Sequence, residues 1–156
     1  MVKGKDQTMN EISSNLAKHD RYTDLLRDLK KAILYRFYLE AIFIEYSILE
    51  DRTQSILMHS NRYNEKKHDS LSKKVTEILV YLRQSSNRLS RYLSVETAES
   101  IRSWMNNRNT LIHHLPQISC CEDDVMNIAL EGVLLVKKIS NASTSFRRYT
   151  AQKKTS

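Results

Sequence analysis

Turn-forming residues are nearly absent from this chain. Two glycines and one proline serve all 156 residues, whereas sheets reverse direction often and rely on those two residue types to do it. Leu, Ile, Glu, Lys and Arg are plentiful, so the expectation is an all-α domain. The length allows one domain with a substantial core. Successive helical patterns joined by short connections predict an antiparallel bundle of four to five helices over residues 20–150. A polar, flexible segment at 1–19 precedes it and a basic tail at 151–156 follows.

From about Asp20 apolar residues recur with helical spacing. Leu26, Leu29, Ile33, Phe37, Ile44 and Ile48 form one stripe, and Leu34, Tyr38, Ala41, Leu49 and Ile56 a second. Two stripes make a wide apolar arc, which predicts a central helix. It is expected to run to about Ser60, with a kink or break near residue 30. Charges interrupt the stripes: Glu45 and Arg52 fall on the second, Asp51 on the first. The acids either form surface ion pairs or face a cation across a helix interface. Residues 60–69 read as a polar loop. Leu71, Val75, Ile78, Leu82 and Leu89 mark a second helix to about Leu93. Ser94 is a good N-cap for a third, with Glu96 in its first turn. Pro116 ends that helix near Leu115. Glu122, Asp123 and Asp124 open a fourth, whose apolar face is Val125, Ile128, Val136, Ile139 and Phe146 and which frays from Arg147.

Lys and Arg exceed Asp and Glu by 25 to 18. A basic balance favours polyanions such as RNA, DNA or anionic lipid, and part of it sits in the tails. No apolar run approaches the roughly 20 residues a membrane helix needs, and the start has no signal-like segment, so no membrane role is expected. Cys120 and Cys121 are adjacent, which disfavours a disulfide between them and points to a reducing cytoplasm. His113, His114, Cys120 and Cys121 lie close together, but their spacing matches no zinc finger; the cysteines are expected to pack at a helix start. No glycine-rich phosphate loop, nucleophile elbow or Walker motif occurs, so neither metal nor cofactor is expected. Trp104 and Met105 read as core; Tyr35, Tyr38, Tyr46 and Tyr81 could stack on bases but are expected to line helix interfaces.

The chemistry concentrates in the third helix. Ala98, Ile101, Met105, Ile112 and Leu115 mark its buried face, and the missing member of that series is Arg108. A guanidinium on an apolar seam is costly to desolvate unless something pairs with it. Glu45 or Asp51 could hold it. Asn109 and His113, four residues apart, share one face beside the seam. Looser Arg–His spacings also occur at Arg52/His59 and Arg62/His68, but at a helix end and in a loop. The bland reading makes Arg108 a structural ion pair and His113 a C-terminal cap.

Arg108-Asn109-Thr110-Leu111-Ile112-His113 resembles the R-x4–6-H motif of the HEPN superfamily, helical bundles of about this size with the motif on a late helix. Many HEPN toxins carry Tyr shortly after the histidine; here His114 and Leu115 follow. The resemblance implies a metal-independent endoribonuclease, acting on RNA as a homodimer in a defence or toxin–antitoxin setting, with an antitoxin or other regulatory protein as a further partner. In it Arg108, Asn109 and His113 are catalytic, with Glu45, Asp51 and His114 as supporting candidates. The imidazole of His113 can exchange protons with the 2′-hydroxyl and the leaving 5′-oxygen. Arg108 offers a forked, permanently charged donor set to phosphate. The two are about 140° apart on an ideal helix, so the arginine must curl round or reach a group of the other subunit. The alternative is a catalytically inactive helical module that binds RNA or a partner protein.

Overall fold

The computed structural model describes the backbone of residues 3–63, 69–117 and 121–154, and side chains between Ser13 and Lys153 within them. These residues form five α-helices, one 3-10 turn and no strand. They are α1 Lys3–Leu34, α2 Tyr38–His59, α3 Leu71–Leu82, α4 Val95–His114 and α5 Glu122–Lys154, with the 3-10 turn at Leu89–Arg91 between α3 and α4.

The long central helix expected from the apolar stripes is two helices. The break falls at 35–37, not near 30. Arg36 takes a left-handed conformation (φ 60°). The Phe37 N–H then donates back to the Ala32 carbonyl (2.8 Å), and the Arg36 N–H to Ile33 (3.2 Å). This is a Schellman end in which arginine stands where glycine is usual. The second Schellman end closes α2: Asn61 is left-handed (φ 58°), and the Arg62 N–H reaches the Leu57 carbonyl at 2.9 Å. Because the chain reverses at 35–37, Leu34, Tyr35 and Phe37 stand 73%, 64% and 59% exposed instead of continuing the stripes.

The stretch expected as a flexible lead-in is helical from Lys3, and α5 continues to Lys154 past the predicted fraying point. The helix predicted to reach Leu93 stops at Leu82. Asn87 causes the stop. Its amide donates to the Leu82 and Gln84 carbonyls (2.8 and 2.7 Å), and its oxygen accepts from the Ser90 N–H at 2.8 Å. Such side-chain bonds compete with continued helix. Leu89 and Leu93 remain buried, reached through the turn. Ser94 caps α4 as expected, accepting from the Thr97 N–H at 3.1 Å.

α2 packs against α1, α3 and α5, and α4 against α3 and α5. Tyr22 bonds Ser140 (2.5 Å) while Ile33 shares a groove with Leu130, so α1 and α5 are antiparallel. Trp104 donates to the Ile128 carbonyl (2.8 Å), while Leu111 and Thr110 face Asp124, so α4 and α5 are also antiparallel. α2 and α5, which share the largest interface, run the same way: Gly132 abuts Glu45, and Phe146 lies beside Met58. That pairing departs from a strict antiparallel order. The 83–94 crossing leads from α3 to α4; residues 64–68 of the expected polar loop lie outside the described residues. The core is Ile42, Ile48, Leu49 and Ile56 of α2 with Trp104, Ile101, Val136 and Ile139 of α4 and α5. One ammonium is buried with it: Lys74, 4% exposed, donates to Gln54 (3.1 Å) and Glu50 (3.3 Å). Among the described residues no helix is long and apolar enough to cross a membrane.

Candidate functional site

α4 presents its polar side chains by helical arithmetic. Ala98, Ile101, Trp104 and Met105 are buried, and Leu111 resumes the seam. Arg108 falls between them and is half-buried. Its guanidinium lies over α2, with Cζ 4.5 Å from the centre of the Tyr46 ring and 5.4 Å from that of Phe43. One terminal nitrogen donates to the side-chain oxygen of Asn109 at 3.1 Å. The Nε is buried and has no hydrogen-bond partner.

Magnitudes show what this arrangement does for stability. A cation–π contact of this kind contributes about 0.5–2 kcal/mol. A buried, unpaired N–H costs about 1–3 kcal/mol. The unpaired Nε therefore offsets much of what the ring contacts contribute, a cost that an apolar residue at this position would not carry. The aromatic floor is the part of the site that the motif does not contain. Tyr46 had a visible signal, since it lies one helical turn from Phe43 beside the second stripe. Its pairing with α4 had none.

Asn109 is half-buried, and its orientation is set by the bond from Arg108. His113 is exposed one turn further on, with no hydrogen bond or ion pair among the described residues. It does not act as a C-terminal cap; the Leu115 N–H closes the helix onto the Leu111 carbonyl at 3.0 Å. His114 turns to the other side. Its Nδ1 lies 2.7 Å from the Thr110 carbonyl, and it lines a groove with Cys121 and Asp124 between α4 and α5. The structure thus brings Arg108 and Asn109 together, sets His113 on Asn109's side of the helix, and separates His114 from them.

Neither acid makes the ion pair with Arg108 that its stripe position suggested. Asp51 faces α1, where it pairs with Lys18 (3.2 Å) and with its own neighbour Arg52 (Nε at 2.9 Å). Burial alone would raise the Asp51 carboxyl, but these two cations outweigh it and hold the pKa below the usual aspartate value. Arg52 in turn stacks on Tyr22 at 4.3 Å. Glu45 points into the core at 0% exposure, and neither carboxyl oxygen has a partner. Desolvation pushes its pKa up to about 9, so at neutral pH it is a neutral acid with no charge to offer Arg108. The glycine on α5 makes room for it. A Cβ at Gly132 would sit 2.0 Å from Glu45 Oε2 and 3.0 Å from Trp104 Nε1.

Cys121 is a free, exposed thiol ahead of α5, not a residue packed at the helix start; Cys120 lies outside the described residues. No group of three or more His, Cys, Asp or Glu side chains placed to hold a metal ion occurs among the described residues.

These features define an all-α bundle with an aromatic-backed arginine, an oriented amide and a solvent-facing imidazole on one helix. Comparison with family models, curated proteins and solved structures finds no match to this chain.

Proposed function

We propose that the protein is a metal-independent endoribonuclease of HEPN type, with Arg108, Asn109 and His113 as its catalytic residues. One observation carries the reading. A guanidinium with a buried, unpartnered Nε is held against Tyr46 at the edge of the core, five residues ahead of an exposed imidazole on the same helix. An arginine kept on an apolar seam with a donor left unpaired is explained by what it does to a ligand.

The chemistry follows from the side chains. Arg108, backed by Tyr46, offers its remaining N–H donors to the scissile phosphate and stabilises charge developing on the phosphoryl oxygens. Asn109 fixes the arginine fork. His113 removes the proton from the 2′-hydroxyl, which attacks phosphorus; the P–O5′ bond breaks and the 5′-oxygen takes up a proton. The products are a 2′,3′-cyclic phosphate and a 5′-hydroxyl. A single imidazole per site serves both proton transfers best if two copies share a cleft, so the reading includes a homodimer, in a reducing cytoplasm. Exposed Phe43 and the bared Leu34, Tyr35 and Phe37 lie at the same end of α2 as Arg108, and they support a second copy seating there. A defence or toxin setting, with an antitoxin or regulatory partner, belongs to the same reading.

The test is cleavage of a labelled RNA with and without chelator. The intact chain is expected to cut equally well in both and to leave cyclic-phosphate ends. Arg108→Ala and His113→Ala should each lower the rate about 100-fold or more, with helicity unchanged. Absence of cutting in either condition, or variants that cut like the parent, would leave the inactive RNA- or protein-binding module as the better reading.

A further inference from the structure

The acid-free parts of this chain meet at one end of the bundle. No Asp or Glu occurs in residues 52–63, 78–95 or 132–156, and these stretches together hold 11 Lys and Arg. The end of α2, the 3-10 crossing and the last turns of α5 converge there. Met58, Asn61, Tyr81, Arg88, Tyr149 and Lys153 are among the residues lining a cavity of about 270 Å³. That is slightly smaller than the roughly 300–1,000 Å³ pockets that take whole small molecules.

The cations here are ordered on aromatic rings. The left-handed turn at Asn61 sends Arg62 back across the helix end, where its guanidinium lies 4.4 Å from the centre of the Tyr81 ring and donates to Gln84 at 2.7 Å. Arg88 sits 5.6 Å over the Tyr149 ring and donates to the Tyr149 hydroxyl. Lys153 lies 5.8 Å from the same ring, and Tyr92 packs beside it with centroids 6.1 Å apart. Among the described residues none of Arg62, Arg88 and Lys153 has an ion-pair partner; the carboxylate at the edge of this group, Glu99, is taken by Arg83 (2.8 Å) and Arg102 (3.5 Å).

We propose that this end of the bundle is a binding site for single-stranded nucleic acid, with phosphates held by Arg62, Arg88 and Lys153 and a base received against the arginine–tyrosine pairs. Unpaired cations supply the backbone contacts, and the tyrosine rings with the guanidiniums beside them supply stacking surfaces that any base can use. Stacking needs exposed base faces, which a duplex hides. A lipid headgroup would use the charge but not the rings. The site uses none of Arg108, Asn109 or His113. Met58 lies twelve residues along α2 from Tyr46, about 18 Å at 1.5 Å per residue, so it stands or falls apart from the ribonuclease reading.

The experiment is fluorescence anisotropy on the intact chain with labelled 12-nucleotide oligouridine and oligothymidine, the latter having no 2′-hydroxyl to be cut. Both are expected to bind, more tightly than a 12-base-pair duplex, with affinity falling steeply as salt rises. The Arg62→Glu/Arg88→Glu double variant should lose tenfold or more and shorten the salt slope by about 0.7 for each phosphate contact removed. Arg88→Lys, which keeps charge but not the planar fork that reaches the Tyr149 hydroxyl, should lose severalfold, and Lys153→Ala severalfold. Lys30→Ala on α1 should bind as the parent does. Binding undiminished in the double variant, or in Lys153→Ala and Arg88→Lys should the double variant not fold, overturns the site. Preference for duplex, or binding only to phosphatidylserine vesicles, overturns it as well.

Discussion

At the scale of single residues the two most informative positions are the charged ones inside the apolar pattern, and they resolve differently. Arg108 lies where the helical spacing put it, on the packed seam and half-buried. Its backing by Tyr46 was not legible, because pairing between α2 and α4 depends on residues far apart in the chain. Glu45 also lies on its stripe, but it is buried without any cation. What it faces is decided by a glycine on α5, and no local signal links the two. The consequence is a pH dependence of definite sign. Folding raises the Glu45 pKa from 4.5 to about 9. Between those values the native state binds a proton that the unfolded chain releases, so stability falls as pH rises, by up to about 1.4 kcal/mol per pH unit. Urea unfolding at pH 5.5, 6.5 and 7.5 is expected to show this decline, and Glu45→Gln to flatten it. Stability that rose with pH across that range would mean an ionised, paired carboxylate at this position.

At the scale of elements, the boundaries that carry their signal locally were readable. Ser94 begins α4, Pro116 follows its end, and the acidic run at 122–124 opens α5. The boundaries that were not readable share a physical reason: they do without glycine and proline. Arg36 and Asn61 take left-handed conformations with a Cβ in place, and Asn87 stops α3 with its side chain. A left-handed L-residue costs about 1–2 kcal/mol, more for arginine than for asparagine, whose short polar side chain tolerates it. Arg36 is exposed and, among the described residues, forms no ion pair or stack to offset that cost. Arg36→Gly is therefore expected to stabilise the fold by about 1 kcal/mol in chemical denaturation, although glycine within a helix usually destabilises. A loss of stability would mean that the arginine side chain contributes something at this turn beyond its backbone strain.

At the scale of the whole molecule, two different surfaces lie at opposite ends of α2. The basic, tyrosine-rich end lies at the C-termini of α2 and α5. The α1–α2 turn bares Leu34, Tyr35 and Phe37, with Tyr35 and Phe37 rings 6.2 Å apart. Sequence alone showed the excess of positive charge but not the basic end, which forms because the parallel α2 and α5 bring their C-termini together. Exposed apolar groups clustered in this way mark association surfaces. Sedimentation velocity is expected to find a dimer, and Leu34→Asp with Phe37→Asp to shift it to monomer without loss of helicity, since both side chains are already largely outside the core. A parent chain that sediments as a monomer would remove the two-copy cleft from the ribonuclease reading.

The parallel seating of α2 on α5 also has a consequence for how the chain is made. The largest interface of α2, with the Glu45 carboxyl in it, is made with a helix that begins only at residue 122. During synthesis that face of α2 must therefore wait uncovered until the closing helix clears the ribosome. Contacts so distant along the chain slow closure and prolong the interval in which a nascent chain can stick to its neighbours.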